Sequence, residues 1–424
     1  MARYTSGLLH PWILAAAAVP VLALFARTWL TPLLPVLAVA VFLFTRSKGG
    51  KPVLPATFGL LVAAIVAWGA ASALWAIDPS LSLQRAAKLG AIAAFGVVLV
   101  GAAGPLTAGE RRQVALTLSV ATVAAFVAGT IGLFVAGVLV LDLAGAALKL
   151  TAAVSIPLKR GAMILAVLPW VAAAGLVSLG RHRLAMSCLL LPPVLLLPLS
   201  AETALIAWGA GLAAAAAGLF IPRKGLIAAV WIVPVVMAAT PLLAKLIPTD
   251  LSPVAGSLPS PALHRLVAWR FTADRIAERP LLGWGLENAR VLPGGDATAP
   301  IARFIENRPP DGKDLSAVVE FLAAHPPKTL PLHPHNFVLQ CWAELGLPGT
   351  ILAAAAIMVL LSGALRLART RWQLAVNLGL FTTAGAMAYL SFGAWQSWWH
   401  AALWIVAAFV IALLRPSDES HARS

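Results

Sequence analysis

Twelve apolar runs, rich in alanine, leucine and valine, constrain this chain more than any other feature. They fall at about 12–26, 29–45, 53–76, 86–106, 114–141, 161–180, 184–200, 202–221, 226–247, 337–361, 373–393 and 399–414. A helix of roughly 20 predominantly apolar residues crosses a bilayer, and the prolines inside several runs are tolerated in membrane helices. Only 11% of the residues are charged, against about 25% in a soluble domain. The expectation is an all-α integral membrane protein with about twelve transmembrane helices. The first run ends in Leu24-Phe25-Ala26, which is not a clean small-residue cleavage site, so it reads as a retained helix.

The short loops orient these spans. Arg3, Arg46, Lys48, Lys51, Arg111, Arg112, Arg181, Arg183, Arg223, Lys224, Arg366, Arg369, Arg371, Arg415 and Arg423 all fall in alternate loops. The positive-inside rule makes that face cytoplasmic. An even number of spans then puts both termini there. The formal charge of +15 is thus read as topology rather than as nucleic-acid binding. On the other face a single long polar segment, 248–336, is expected as a periplasmic loop inserted between spans nine and ten of one transmembrane domain (1–424). Loops of that length are usually functional or disordered.

Some cations oppose the bias. Arg85 and Lys88 begin span four, Lys159 and Arg160 begin span six, and Arg265, Arg270, Arg275, Arg279 and Arg290 lie in the long loop. Arg85 and Lys88 share a helix face. Charges near membrane depth need partners, and nearby acids are few: Asp78, Asp142, Asp274, Glu278 and Glu287. Two readings stand: snorkelling to lipid headgroups, or convergence on an anionic ligand such as a diphosphate. Residues 261–280 carry Leu263, Leu266, Val267, Phe271 and Ile276 at helical spacing with arginines opposite, an amphipathic helix on the membrane or over a cavity. A second short helix is expected within 311–327.

Other chemistries lack signatures. Cys188 and Cys341 both sit inside apolar runs, so no disulfide framework is implied. No phosphate-binding P-loop or nucleophile elbow is present. His333 and His335 make a thin metal site without a third ligand nearby. A histidine at a helix start is either a structural cap or, as a neutral imidazole, a base for a hydroxyl proton.

In PLHPHNFVLQCWAELGLPG (331–349), His335-Asn336, nine residues, then Gly346-Leu347-Pro348-Gly349 resembles the pattern H-[NSQ]-x9-G-x-x-[GTY] of the O-antigen ligase family. PLLGWGLENA (280–289), ALHRLVAWR (262–270) and ALWAIDPSLSLQRAAKL (73–89) are similar to that family's loop segments, so the resemblance runs from about 70 to 400. It implies a polytopic glycosyltransferase bundle (GT-C-like) that moves a polysaccharide from undecaprenyl diphosphate to a sugar of lipid A-core, at the periplasmic face of a bacterial inner membrane. It implies no cofactor, no metal and no nucleic acid; membrane lipids and the two lipid-anchored substrates are the partners.

The family's histidine falls on His335 and its loop arginine on Arg265, with Arg270 a near competitor. The first outer loop, Arg27-Thr28-Trp29, offers no carboxylate where metal-dependent membrane glycosyltransferases carry an acidic pair. Arg85, Lys88, Arg160 and Arg265 are therefore expected to hold the diphosphate while His335 takes the acceptor proton. Asn336 caps span ten or positions His335 or a sugar, and Gly346 and Gly349 permit close helix packing.

O-antigen polymerases and protein O-oligosaccharyltransferases share the pattern. A polymerase typically has two substantial outer loops, whereas 142–160 is short, and the protein-glycosylating relatives usually extend further past the last span. A secondary transporter would show two repeated halves with midplane charges; none is evident. A membrane scaffold is the remaining class.

Overall fold

The computed structural model describes residues 10–142, 158–199, 201–309 and 314–415. Arg3, Arg423 and most of the 142–160 segment lie outside the described residues. The fold is helical: α1 (Pro11–Phe25), α2 (Leu30–Ser47), α3 (Ala56–Ala71), α4 (Pro79–Ala102), α5 (Ala108–Asp142), α6 (Leu158–Ser178), α7 (His182–Leu196), α8 (Glu202–Phe220), α9 (Arg223–Lys245), α10 (Ser260–Glu278), α11 (Ile301–Glu306), α12 (Ser316–Ala324), α13 (Phe337–Leu367), α14 (Arg371–Leu390) and α15 (Ser397–Leu414). Among the described residues no β-strand occurs, only one isolated bridge between Thr298 and Lys328.

Each of the twelve apolar runs coincides with one helix or a broken pair. Nine helices among the described residues are long and apolar enough to cross a membrane, so the chain is a multi-pass membrane protein. The runs at α1 and α7 form apolar helices of shorter length. α14 spans 20 residues but carries Arg371, Gln373, Asn377 and paired threonines, which dilute its hydropathy, and it is not among the nine.

α6 is the axis of the bundle. Its span is 94% buried, enclosed by α5, α7, α14 and α15. Lipid supplies no hydrophobic drive for helix association, so close packing depends on small residues. At Gly379 an added Cβ would overlap the Trp170 ring, and at Gly211 it would overlap Thr383 Oγ1. Those glycines let α8 and α14 close over α6.

The helices also sort the polar residues into two ends. α4 has 24 residues, about 36 Å at 1.5 Å per residue. At its C-terminus Thr45 Oγ1 of α2 donates to Ala102 O at 2.8 Å, and close by in sequence Arg111 donates to Arg415 O at 3.0 Å. Its N-terminus meets the long loop. That loop has its own small core around Leu251, Leu263, Ile301, Phe304 and Ile305. α10 is the amphipathic helix expected from the arginine-rich stretch, and Ala273 and Ile276 pack it on Ala244 of α9 and on Leu339 and Ala343 of α13. α12 is the expected second short helix.

Candidate functional site

The site is built on a break in α13. Gly346 has φ 62° and ψ −160°, a region open essentially only to glycine. The break frees main-chain groups that a continuous helix would consume. Trp284 N donates to Ala343 O at 2.8 Å, Gly285 N to Glu344 O at 2.9 Å, and Leu347 N to Pro280 O at 3.0 Å. Segment 280–285 is thus docked on α13 by its backbone. Gly283 (φ 69°) and Gly285 (φ 100°) make the turn, and a Cβ on Gly283 would come within 2.6 Å of Glu344 C. Gly346 therefore serves loop docking, rather than the helix–helix packing expected for it. Gly349 faces the Leu345 side chain of its own helix.

The same loop is tied to the start of α4. Asn288 Oδ1 accepts from Asp78 N at 2.6 Å, while its Nδ2 donates to Ser82 Oγ at 3.0 Å and Leu286 O at 2.9 Å. Leu286 N donates to Ser72 Oγ at 2.9 Å. Asp78 caps α4 through Ser80 N and Leu81 N. Three segments far apart in sequence, 72–88, 280–290 and 335–349, so become one assembly.

Two buried carboxylates organise it. Glu344, fully buried, accepts from Glu287 N, from Ala289 N at 3.2 Å, from Gln340 Nε2 at 2.9 Å and from Trp395 Nε1 at 2.5 Å. Four donors leave its oxygens well satisfied, as a buried charge requires. Glu287, in a left-handed conformation (φ 64°), pairs with Arg85 at 2.8 Å and with Arg290. Arg85 also donates to Trp395 O at 2.8 Å. The Arg85–Glu287–Arg290 triad retains one net positive charge.

His335 also has positive φ, 54°. Trp269 Nε1 fixes the preceding residue by donating to Pro334 O at 2.8 Å, and Asn336 caps α13 by accepting from Leu339 N at 3.0 Å. His335 Nδ1 lies 2.7 Å from Ser391 O. A carbonyl only accepts, so Nδ1 carries the proton and, in the neutral ring, Nε2 keeps its lone pair. Burial pushes the His335 pKa below the ordinary imidazole value; the Ser391 hydrogen bond opposes this, while Arg265, His264 and Arg160 add to it. His333 stands 4.3 Å away, ring centre to ring centre. Its Nδ1 accepts the His335 backbone N–H at 3.2 Å, and its pKa is pushed down to about 3, chiefly by burial.

The cations singled out in the sequence separate by role. Arg265 reaches inward and donates to Thr203 Oγ1 at the start of α8, 3.1 Å. Arg270 is spent on structure: it donates to Lys245 O (2.7 Å), the last residue of α9, and to Ile247 O (2.9 Å) just beyond it, and pairs with Asp274 at 3.2 Å. Arg160 is exposed, and its charge acts on both His333 and His335. Lys88 is exposed and pairs with none of the described acids. Arg27 lies over Trp398 in the first turn of α15, 5.4 Å from the ring centre. Among the described residues no three His, Cys, Asp or Glu side chains gather as metal ligands would. Sequence reasoning missed Glu344, Trp395 and Arg27 as part of this region. Glu344 alone carried a signal, an acid inside an apolar run.

An imidazole with one nitrogen anchored and the other free, beside guanidinium groups at one end of a helical bundle, can accept a proton next to an anion. Fold and site together define an all-helical multi-pass membrane protein whose polar machinery lies where the spans begin. Residues 145–354 match the family described as O-Antigen ligase, and the chain belongs to the O-antigen ligase family. It is similar to a protein named "Putative polysaccharide ligase" in Rickettsia conorii, 30% identical over 180 residues, 42% of this chain and 38% of that protein. A Rickettsia felis protein of the same name is 26% identical over 269 residues, 61% of this chain and 59% of its own. The aligned regions thus cover less than two thirds of these relatives.

Proposed function

We propose that the chain is an O-antigen ligase-type glycosyltransferase of the bacterial inner membrane. It transfers a polysaccharide from undecaprenyl diphosphate to a sugar hydroxyl of lipid A-core at the periplasmic face, with both termini in the cytoplasm and 248–336 as the periplasmic loop. The observation that carries the reading is the anchored imidazole: Nδ1–H donates to Ser391 O, so Nε2 is the acceptor. The acceptor hydroxyl oxygen attacks the anomeric carbon from the face opposite the diphosphate, with inversion. Its proton passes to His335 Nε2, and the breaking carbon–oxygen bond leaves its electron pair on undecaprenyl diphosphate. Arg265 and Arg160 stabilise that leaving group, with Arg85 held in place by Glu287 and Lys88 available from the exposed side. A preorganised contact of this kind is worth roughly 100- to 1,000-fold in rate. Family membership and the printed names of the relatives support the reaction class.

The test is reconstitution: purified protein, undecaprenyl-diphosphate-linked polysaccharide and lipid A-core, with chelator and without ATP. A ladder of polysaccharide-bearing lipopolysaccharide from the wild type and none from His335→Ala is expected. Longer lipid-linked chains instead would make it a polymerase; transfer to peptide would make it a protein-glycosylating enzyme. Near-normal turnover by His335→Ala would refute the base.

A further inference from the structure

The opposite end of the bundle holds a second concentration of charge. There the turn after α2, the turn after α4, the C-terminus of α13 and the residue following α15 line an open cavity of about 510 Å³. Its charged lining is Lys51, Arg366, Arg369 and Arg415, and no carboxylate lines it. Glu110, at the start of α5, is occupied by Lys48 and His10. None of the four lining cations forms an ion pair with a described acid. Arg111 fixes one corner by donating to Arg415 O, and Gly101 and Gly104 are among the residues of the wall.

Topology explains why cations lie at this end but not why four of them converge on one cavity. The positive-inside bias counts Lys and Arg in loops wherever their side chains point. Like charges around a concavity repel one another and focus a positive potential, so the arrangement costs stability while empty and gains when an anion enters. The planar forks of arginine suit phosphate oxygens. The cavity sits level with the helix ends, where apolar lining gives way to polar, and basic pockets between transmembrane helices take phosphate headgroups.

We propose that this cavity is a second anion site, specific for a phosphate-bearing ligand, at the end of the bundle opposite His335. The chemistry is that of an anionic phospholipid headgroup or of a free phosphate or diphosphate. It does not depend on the transfer reaction proposed above.

Native mass spectrometry of the full chain in detergent tests it, with phosphatidylglycerol, phosphatidylcholine and inorganic diphosphate as probes. The wild type is expected to hold one phosphatidylglycerol and to discriminate against phosphatidylcholine. Arg366→Gln/Arg369→Gln/Arg415→Gln should weaken that adduct roughly 100-fold, each basic side chain near an anionic surface counting for about fivefold. Arg160→Gln/Arg265→Gln should retain it, which separates this cavity from the other end. Diphosphate bound with the same variant pattern, without a lipid adduct, would identify a free anion as the ligand. If the triple variant does not fold, Lys51→Gln alone should weaken binding about fivefold. Binding unchanged in these variants, or lost in the Arg160/Arg265 variant, overturns the proposal.

Discussion

Replacing Gly346 with alanine tests the docking of segment 280–290 directly. Two costs add. An L-residue at φ 62°, ψ −160° carries strain of order 1–3 kcal/mol. The new Cβ also overlaps Leu281 O and lies 2.6 Å from Leu281 C, both main-chain atoms that cannot rotate away. Relieving that overlap means withdrawing Leu281, which breaks the bifurcated bond from Leu347 N to Pro280 O and Leu281 O, at about 1 kcal/mol. The sum is roughly 2–4 kcal/mol. Gly363 of the same helix has nothing within 4 Å of its Cβ position, so Gly363→Ala should be neutral or stabilise by up to ~1 kcal/mol. Thermal unfolding in detergent, followed by tryptophan fluorescence, compares the two, with limited proteolysis reporting release of 280–290. Gly346→Ala should melt several degrees lower and be cut in that segment. If it melts with Gly363→Ala and resists cleavage, the docking argument fails.

Arg265 and Arg270 should separate by readout: Arg265→Ala lowers transfer roughly 100-fold or more with little change in melting, whereas Arg270→Ala lowers melting by removing the ties to Lys245 O and Ile247 O and leaves the chemistry largely intact. The depressed His335 pKa keeps the base neutral as pH falls through 6.5, so the acidic limb of the pH–rate profile should lie below 6.5; a limb at or above 6.5 would contradict the burial argument. His333 is about 3 in the fold against an ordinary 6.5, so between those values the unfolded chain binds the extra proton and stability falls as pH falls; His333→Gln should flatten that slope in a pH series of melts. Asn336→Ala removes the cap on α13 and should cost about 1 kcal/mol, read as a modest drop in melting temperature.

Much of the architecture was legible because each span is encoded locally. The apolar runs, the amphipathic α10 and the Asn336 cap each depend on a dozen or so neighbouring residues, which is the range that periodicity and capping rules cover. The partners of the charged residues were not. Glu287 meets Arg85 across some two hundred positions, and Glu344 gathers donors from 287–289 and 395; no local pattern announces either. Arg265 and Arg270 sit five residues apart on one helix, and only the position of α9 decides that Arg270 is consumed by carbonyls. The glycine motif was visible, but its purpose lay in a backbone angle that letters do not display.

The direction of the helices has a consequence for the field at the His335 end. α2, α4, α6, α8, α13 and α15 all begin there, and Asp78 and Asn336 cap two of these starts. Each such terminus carries the equivalent of about half a positive charge, effective within the first turn. The C-termini of α1, α3, α5, α7, α9 and α14 lie at the same end and carry the opposite partial charge, so the backbone dipoles largely cancel and the cationic side chains set the field. Single arginine variants should then weaken both the hold on an anionic substrate and its preference for this end of the bundle.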